Sequence, residues 1–159
     1  MQPEDIVDQL RIEMSLMAET LNEIDALVRD VGEHQPTPRE QAATAHFLED
    51  LYMGLENILL RLCKELGVAL PSGNDWHSAL IAMFCTPADQ PLPQLFDDVS
   101  RSDVSRYRRF RHLSTHGYGV TLDWERTAPL ACNARRVFTG FFACVQAYLD
   151  SLPPQSDDQ

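Results

Sequence analysis

Arg111, His112, His116 and Tyr118 fall within one eight-residue stretch of the chain, Arg-His-Leu-Ser-Thr-His-Gly-Tyr. The stretch combines a permanent cation, imidazoles that titrate near neutral pH and a phenol. That set suits cleavage of a phosphodiester without a metal. Attack of an RNA 2′-hydroxyl on its own phosphate needs a base for that hydroxyl, an acid for the departing 5′-oxygen and a cation for the charge growing on the phosphorus oxygens. Imidazole serves either proton transfer, and guanidinium meets phosphate bidentately. One histidine performs only one transfer at a time. A two-fold dimer presenting His116 from each chain would complete the acid-base pair.

Spacing restricts how these groups meet. Arg111 and His116 are five residues apart, which on a continuous helix is a rotation of about 500°, leaving them about 140° from a common face. They converge if the helix stops at Gly117, or if the long guanidinium reaches around. Gly117 and Gly119 together cost a helix roughly 2 kcal/mol relative to alanine, so they favour that stop and free Tyr118 to turn back. His112 and His116 are four apart and share a face.

Arg101, Arg106, Arg108, Arg109 and Arg111 crowd just upstream, in a chain whose formal net charge is -11. The global field therefore repels nucleic acid, and contact with RNA has to come through this local basic patch. Arg106, Arg108, Arg109 and His112 are the candidate RNA-binding residues. The patch also has a purely structural explanation, because cations near a helix C-terminus are favoured by the macrodipole and arginine stems cover apolar surface.

Other groups carry less. Trp76 and His77 are a candidate functional pair, but read foremost as the start of a short helix whose tryptophan packs over the bundle end. Glu49, Asp50 and Glu56 read as the solvated polar side of the second helix, and no Glu-x-x-His spacing of di-metal bundles is present. Cys63, Cys85, Cys132 and Cys144 form no C-x-x-C pair and read as buried free thiols. There is no glycine-rich phosphate loop and no Ser or Cys nucleophile motif, so neither a metal nor a cofactor is expected.

The elements that position these groups are helical throughout. Apolar residues from Leu10 to Val31 recur at alternating spacings of four and three, predicting a helix from about Pro3 that ends near Gly32. Thr37, Pro38 and Glu40 spell a capping box with proline in the first turn, and the stripe Ala45, Leu48, Tyr52, Leu55, Leu59, Leu62 and Leu66 carries the second helix to Gly67. The two make an antiparallel hairpin. Asn74 or Asp75 caps a short helix through Phe84, and the proline-rich run 86–93 is a loop. A fourth helix is predicted from about Gln94 with Leu95, Phe96, Val99, Tyr107, Phe110 and Leu113 inward, and the polar run Ser100-Arg101-Ser102-Asp103 marks a bend or exposed turn. Thr121 or Asp123 caps the last helix, which Pro129 kinks or delays.

The fold expected is all-α, an up-and-down bundle of four main helices plus a short one, with one domain over 1–152 and a flexible tail over 153–159. At 159 residues and 44% hydrophobic content, the chain can fill one core. The N-terminus is acidic where a secretory signal needs positive charge, and no apolar run nears the ~18 residues of a membrane span, so a cytoplasmic protein without membrane contact is expected.

The spacing Arg111-(four residues)-His116-(one residue)-Tyr118 matches the R-x-x-x-x-H-x-Y signature of HEPN domains. The flanking runs Phe110-Arg111-His112, Tyr118 to Trp124 and Leu70 to His77 look like the HepT-like branch, ribonuclease toxins paired with minimal nucleotidyltransferase antitoxins. The resemblance covers nearly the whole chain. It implies a homodimeric, metal-independent endoribonuclease, the toxin of a type VII-like toxin-antitoxin pair, with its cleft between two copies of the motif. It further implies that Arg111 binds the scissile phosphate, that His116 transfers protons, and that Tyr118 shapes the site and receives AMP from the antitoxin. Phosphate added there would occupy Arg111 and repel RNA. Ser114-Thr115 departs from similar chains, which often carry a further basic or aromatic residue there. The alternative is a non-catalytic HEPN bundle acting as a nucleotide-binding or adaptor module for a nucleotidyltransferase.

Overall fold

A computed structural model describes residues 5–116 and 123–154, with only the backbone described for Thr115 and His116. Five helices make up the described residues: α1 (Ile6–Val31), α2 (Pro38–Glu65), α3 (Trp76–Ala82), α4 (Asp98–His116) and α5 (Trp124–Ser151). The fold is all-helical, as the periodicity predicts.

Local chemistry accounts for most of the boundaries. Asp5 caps α1 by accepting from the Val7 amide at 3.1 Å, and Gly32 follows the helix at φ +52°. The capping box of α2 is complete, with Thr37 Oγ1 accepting from the Glu40 amide at 3.1 Å and Glu40 Oε1 accepting from the Thr37 amide at 2.9 Å. Gly67, at φ +67°, takes the left-handed backbone just past the end of α2.

α1 and α2 run antiparallel, with Arg61 donating to Gln9 at 2.9 Å and Asn57 to Glu13 at 3.2 Å. Where Met17 crosses α2, residue 54 has to be small: a Cβ on Gly54 would lie 2.6 Å from Met17 Cγ. α5 packs on α1, α2 and α4, while α3 bridges α2 and α4. Leu10, Ile24, Leu55, Ile58, Phe84 and Phe138 sit at zero exposure in the shared core. α2 touches every other helix, and only the stripe His46, Asp50, Met53, Asn57 and Arg61 is left to solvent along its middle.

Several expectations need correction. α4 starts at Asp98, four residues later than the periodicity predicts, because Leu95 and Phe96 lie extended with their amides donating to the Phe84 carbonyl at 2.9 and 3.2 Å. The polar run Ser100 to Asp103 is its first turns and not a bend. Asp97 accepts from the Ser100 amide at 2.8 Å and Ser100 Oγ from the Asp97 amide at 2.9 Å, which satisfies the orphan donors of a helix start. Val99 and Leu113 are 70% and 64% exposed and face away from the core, whereas Val104 and Tyr107 are buried.

α5 starts at Trp124 with Asp123 accepting from the Glu125 amide at 3.1 Å, so Pro129 does not delay it. Cys132 and Cys144 are exposed, and only Cys63 and Cys85 are buried. Each exposed thiol adjoins a core residue, Ala131 or Val145, and one step of about 100° around the helix carries it off the buried stripe. No described helix is long and apolar enough to cross a membrane.

Candidate active site

α2 places Glu56 one helical turn beyond Tyr52, on the side facing α3 and α4. The carboxylate is 4% exposed and accepts three hydrogen bonds from three elements. Tyr52 Oη donates to Oε2 at 2.9 Å, Arg111 Nη1 on α4 donates to Oε1 at 3.2 Å, and His77 Nδ1 at the start of α3 donates to Oε2. A charge buried this deeply needs such partners, because desolvation without them costs several kcal/mol. Burial first, and then the charge of Glu56, push the Tyr52 phenol well above its ordinary range.

These groups border a cleft of about 500 Å³, lined by Tyr52, Asn74, Trp76, His77, Arg108, Arg111 and His112 among others. The Trp76 and His77 rings lie against each other, centroids 3.6 Å apart and planes 30° from parallel. Arg108 Nε is buried and finds no acceptor among the described residues. Two guanidinium cations, two imidazoles and a carboxylate that holds one of each are the parts that grip and orient an anion. Among the described residues no three of His, Cys, Asp and Glu converge as metal ligands.

The fold splits the basic cluster. Arg108, Arg111 and His112 face the cleft between α2, α3 and α4. Arg106 and Arg109 line a second groove of about 350 Å³ between α4 and α5, whose floor includes Phe110 and Leu130. His116 is the last residue of α4, so the backbone places it one helical turn past His112 and about 140° from Arg111. Gly117, Tyr118 and Gly119, and the turn expected of them, lie outside the described residues.

Of the three acidic residues expected to solvate α2, only Asp50 does so; Glu49 and Glu56 are turned to neighbouring helices. Glu56 is the buried centre of the cluster, since the face it occupies is covered by α3 and α4. Glu49 accepts a hydrogen bond from Ser114 Oγ, which ties the end of α4 to α2. Asp50 is exposed, pairing with His46 at 3.1 Å. His77, read mainly as part of a packing helix start, instead reaches the carboxylate that holds Arg111. The one signal for Glu56 is its setting among the apolar or aromatic residues Tyr52, Leu55, Ile58 and Leu59. For His77 the signal is its place in a candidate functional pair with Trp76, but the contact with Glu56 is set by the loop from Gly67 to Asp75, which decides where the ring lands.

The family model described as HepT-like protein matches residues 43–152, more than half of the chain and all of α3, α4 and α5. No curated protein and no solved structure matches it.

Proposed function

The chain belongs to the HepT-like protein family, and on that premise we propose that it is a metal-independent endoribonuclease acting as the toxin of a type VII-like toxin-antitoxin pair. The observation that carries this reading is Arg111 itself. Its guanidinium is held at the edge of a cleft by the buried Glu56, on the same helix that ends at His116. A cation pinned in this way loses little conformational freedom on meeting phosphate.

In this reading Arg111 stabilises the charge on the scissile phosphate and His116 transfers a proton. A homodimer brings two copies of the motif together. Arg106, Arg108, Arg109 and His112 contribute to the grip on RNA, Arg106 and Arg109 along the α4/α5 groove. A minimal nucleotidyltransferase antitoxin silences the site by transferring AMP to Tyr118.

The test is cleavage of RNA in EDTA by the wild-type chain, Arg111→Lys and His116→Ala, with helical circular dichroism checked for each. The wild type should cleave and each variant should lose about 100-fold or more, since an ammonium does not replace a guanidinium fork. Cleavage that persists in both variants, or is absent from the wild type, overturns the assignment. Co-expression with the antitoxin should add the mass of one AMP, absent from Tyr118→Phe. An unmodified wild type removes the silencing mechanism, whereas partner binding and function that survive His116→Ala favour the adaptor role.

A further inference from the structure

We infer that His77 is a second proton-transfer group of this cleft, the base that takes the proton of the attacking 2′-hydroxyl. The inference rests on the ribonuclease reading and adds a residue that the Arg-His-Tyr motif does not contain.

The geometry is that of an imidazole oriented by a carboxylate. The Glu56 carboxylate accepts, so Nδ1 of His77 carries the hydrogen, and in the neutral imidazole the lone pair is then on Nε2. Glu56 cannot swing away, being buried and tied to Tyr52 and Arg111 as well. The carboxylate thereby fixes the ring orientation in which Nε2 takes a proton. The His77 side chain is 32% exposed, lines the cleft and has no hydrogen bond to Nε2 among the described residues, so a molecule in the cleft can reach that nitrogen. Trp76 stacks on the ring and limits its rotation. Arg111 and His77 sit on the two oxygens of one carboxylate, so a phosphate on Arg111 lies beside His77.

In the resulting step the 2′-oxygen bonds to phosphorus as its proton passes to His77 Nε2. The bond from phosphorus to the 5′-oxygen breaks, and that oxygen takes a proton from His116. The products are a 2′,3′-cyclic phosphate and a 5′-hydroxyl, after which solvent returns both imidazoles to their starting states. The acid-base pair is then two different imidazoles, one from the start of α3 and one from the end of α4, in place of two copies of His116.

His77→Asn separates this role from a structural one, because the asparagine amide still donates to Glu56 but takes up no proton. Charged and titratable groups facing His77 are Glu56 and Tyr52 from α2, Asp75 at the start of α3, and Arg108, Arg111 and His112 from α4. The variant should lose about 100-fold in kcat with KM little changed, and the acid limb of its pH-rate profile should flatten. Unchanged kcat and pH profile alongside an active wild type overturn this inference and leave the ribonuclease reading standing. A wild type that does not cleave RNA overturns both. Should His77→Asn not fold, histidine NMR of the wild type decides: a non-cleavable 2′-deoxy oligonucleotide should shift the His77 ring resonances, and resonances that stay put overturn the inference.

Discussion

Glu56 and Arg111, 55 positions apart in sequence, meet with Nη1 3.2 Å from Oε1 at the edge of the cleft. The contact joins the central helix to the helix that carries the motif, and the same carboxylate holds Tyr52 and His77. Glu56→Ala would leave a buried phenol and a partly buried guanidinium without their acceptor. We expect it to lower unfolding stability by about 3 kcal/mol in urea titrations. An unchanged midpoint would show that water replaces the carboxylate at no cost.

Crossing of α1 and α2 depends on a missing side chain. Gly54→Ala brings a Cβ to 2.6 Å from Met17 Cγ and 2.9 Å from its sulfur, where Met17 is 3% exposed. Overpacking of this kind costs about 1 to 3 kcal/mol and outweighs the roughly 1 kcal/mol that alanine gains over glycine in a helix. Thermal melts should show Gly54→Ala less stable than wild type, and the same change should become stabilising in a Met17→Ala background. A gain in the wild-type background would mean that Met17 moves aside freely.

Acid should loosen the start of α2. The Thr37 amide, more than any other group, holds the Glu40 carboxyl below its ordinary value of 4.5, with His34 adding to the effect. A depressed folded value means that the unfolded chain binds the proton more readily. The contribution is therefore complete above pH 4.5 and fades as pH falls through the lower folded value. Asp97 behaves likewise from its ordinary 3.8, held down by the Ser100 amide at the start of α4. Comparing urea midpoints at about pH 6 and about pH 3, Glu40→Gln should lose less stability than wild type. Equal losses would assign the acid sensitivity to other carboxylates.

Thiol reactivity should divide the cysteines in two pairs. Cys132 and Cys144 are exposed, whereas burial pushes the Cys63 and Cys85 thiols up and removes them from solvent. Thiolate is the reactive form. A chromogenic disulfide reagent should therefore titrate two thiols in the native protein and four in denaturant. Four fast-reacting thiols in the native state would contradict the packing of α2 against its neighbours.

Sequence alone determined what depends on neighbours within a turn or two. The four-three spacing fixed which faces of α1 and α2 turn inward, and Thr37, Glu40, Asp123 and Gly67 marked where helices begin or end, because capping is a local hydrogen-bond requirement. Arg111 and His116 stood out by spacing within one helix. Tertiary structure decided everything that rests on contact between helices. Burial of Glu56 follows from α3 and α4 packing over its side of α2, a property of the bundle that no window of α2 contains. The arrival of His77 at that carboxylate, and the division of the arginines between two grooves, follow from how α3 and α5 dock on α4. Composition marks a glutamate as polar, but whether it meets water or a guanidinium is settled by what packs over it.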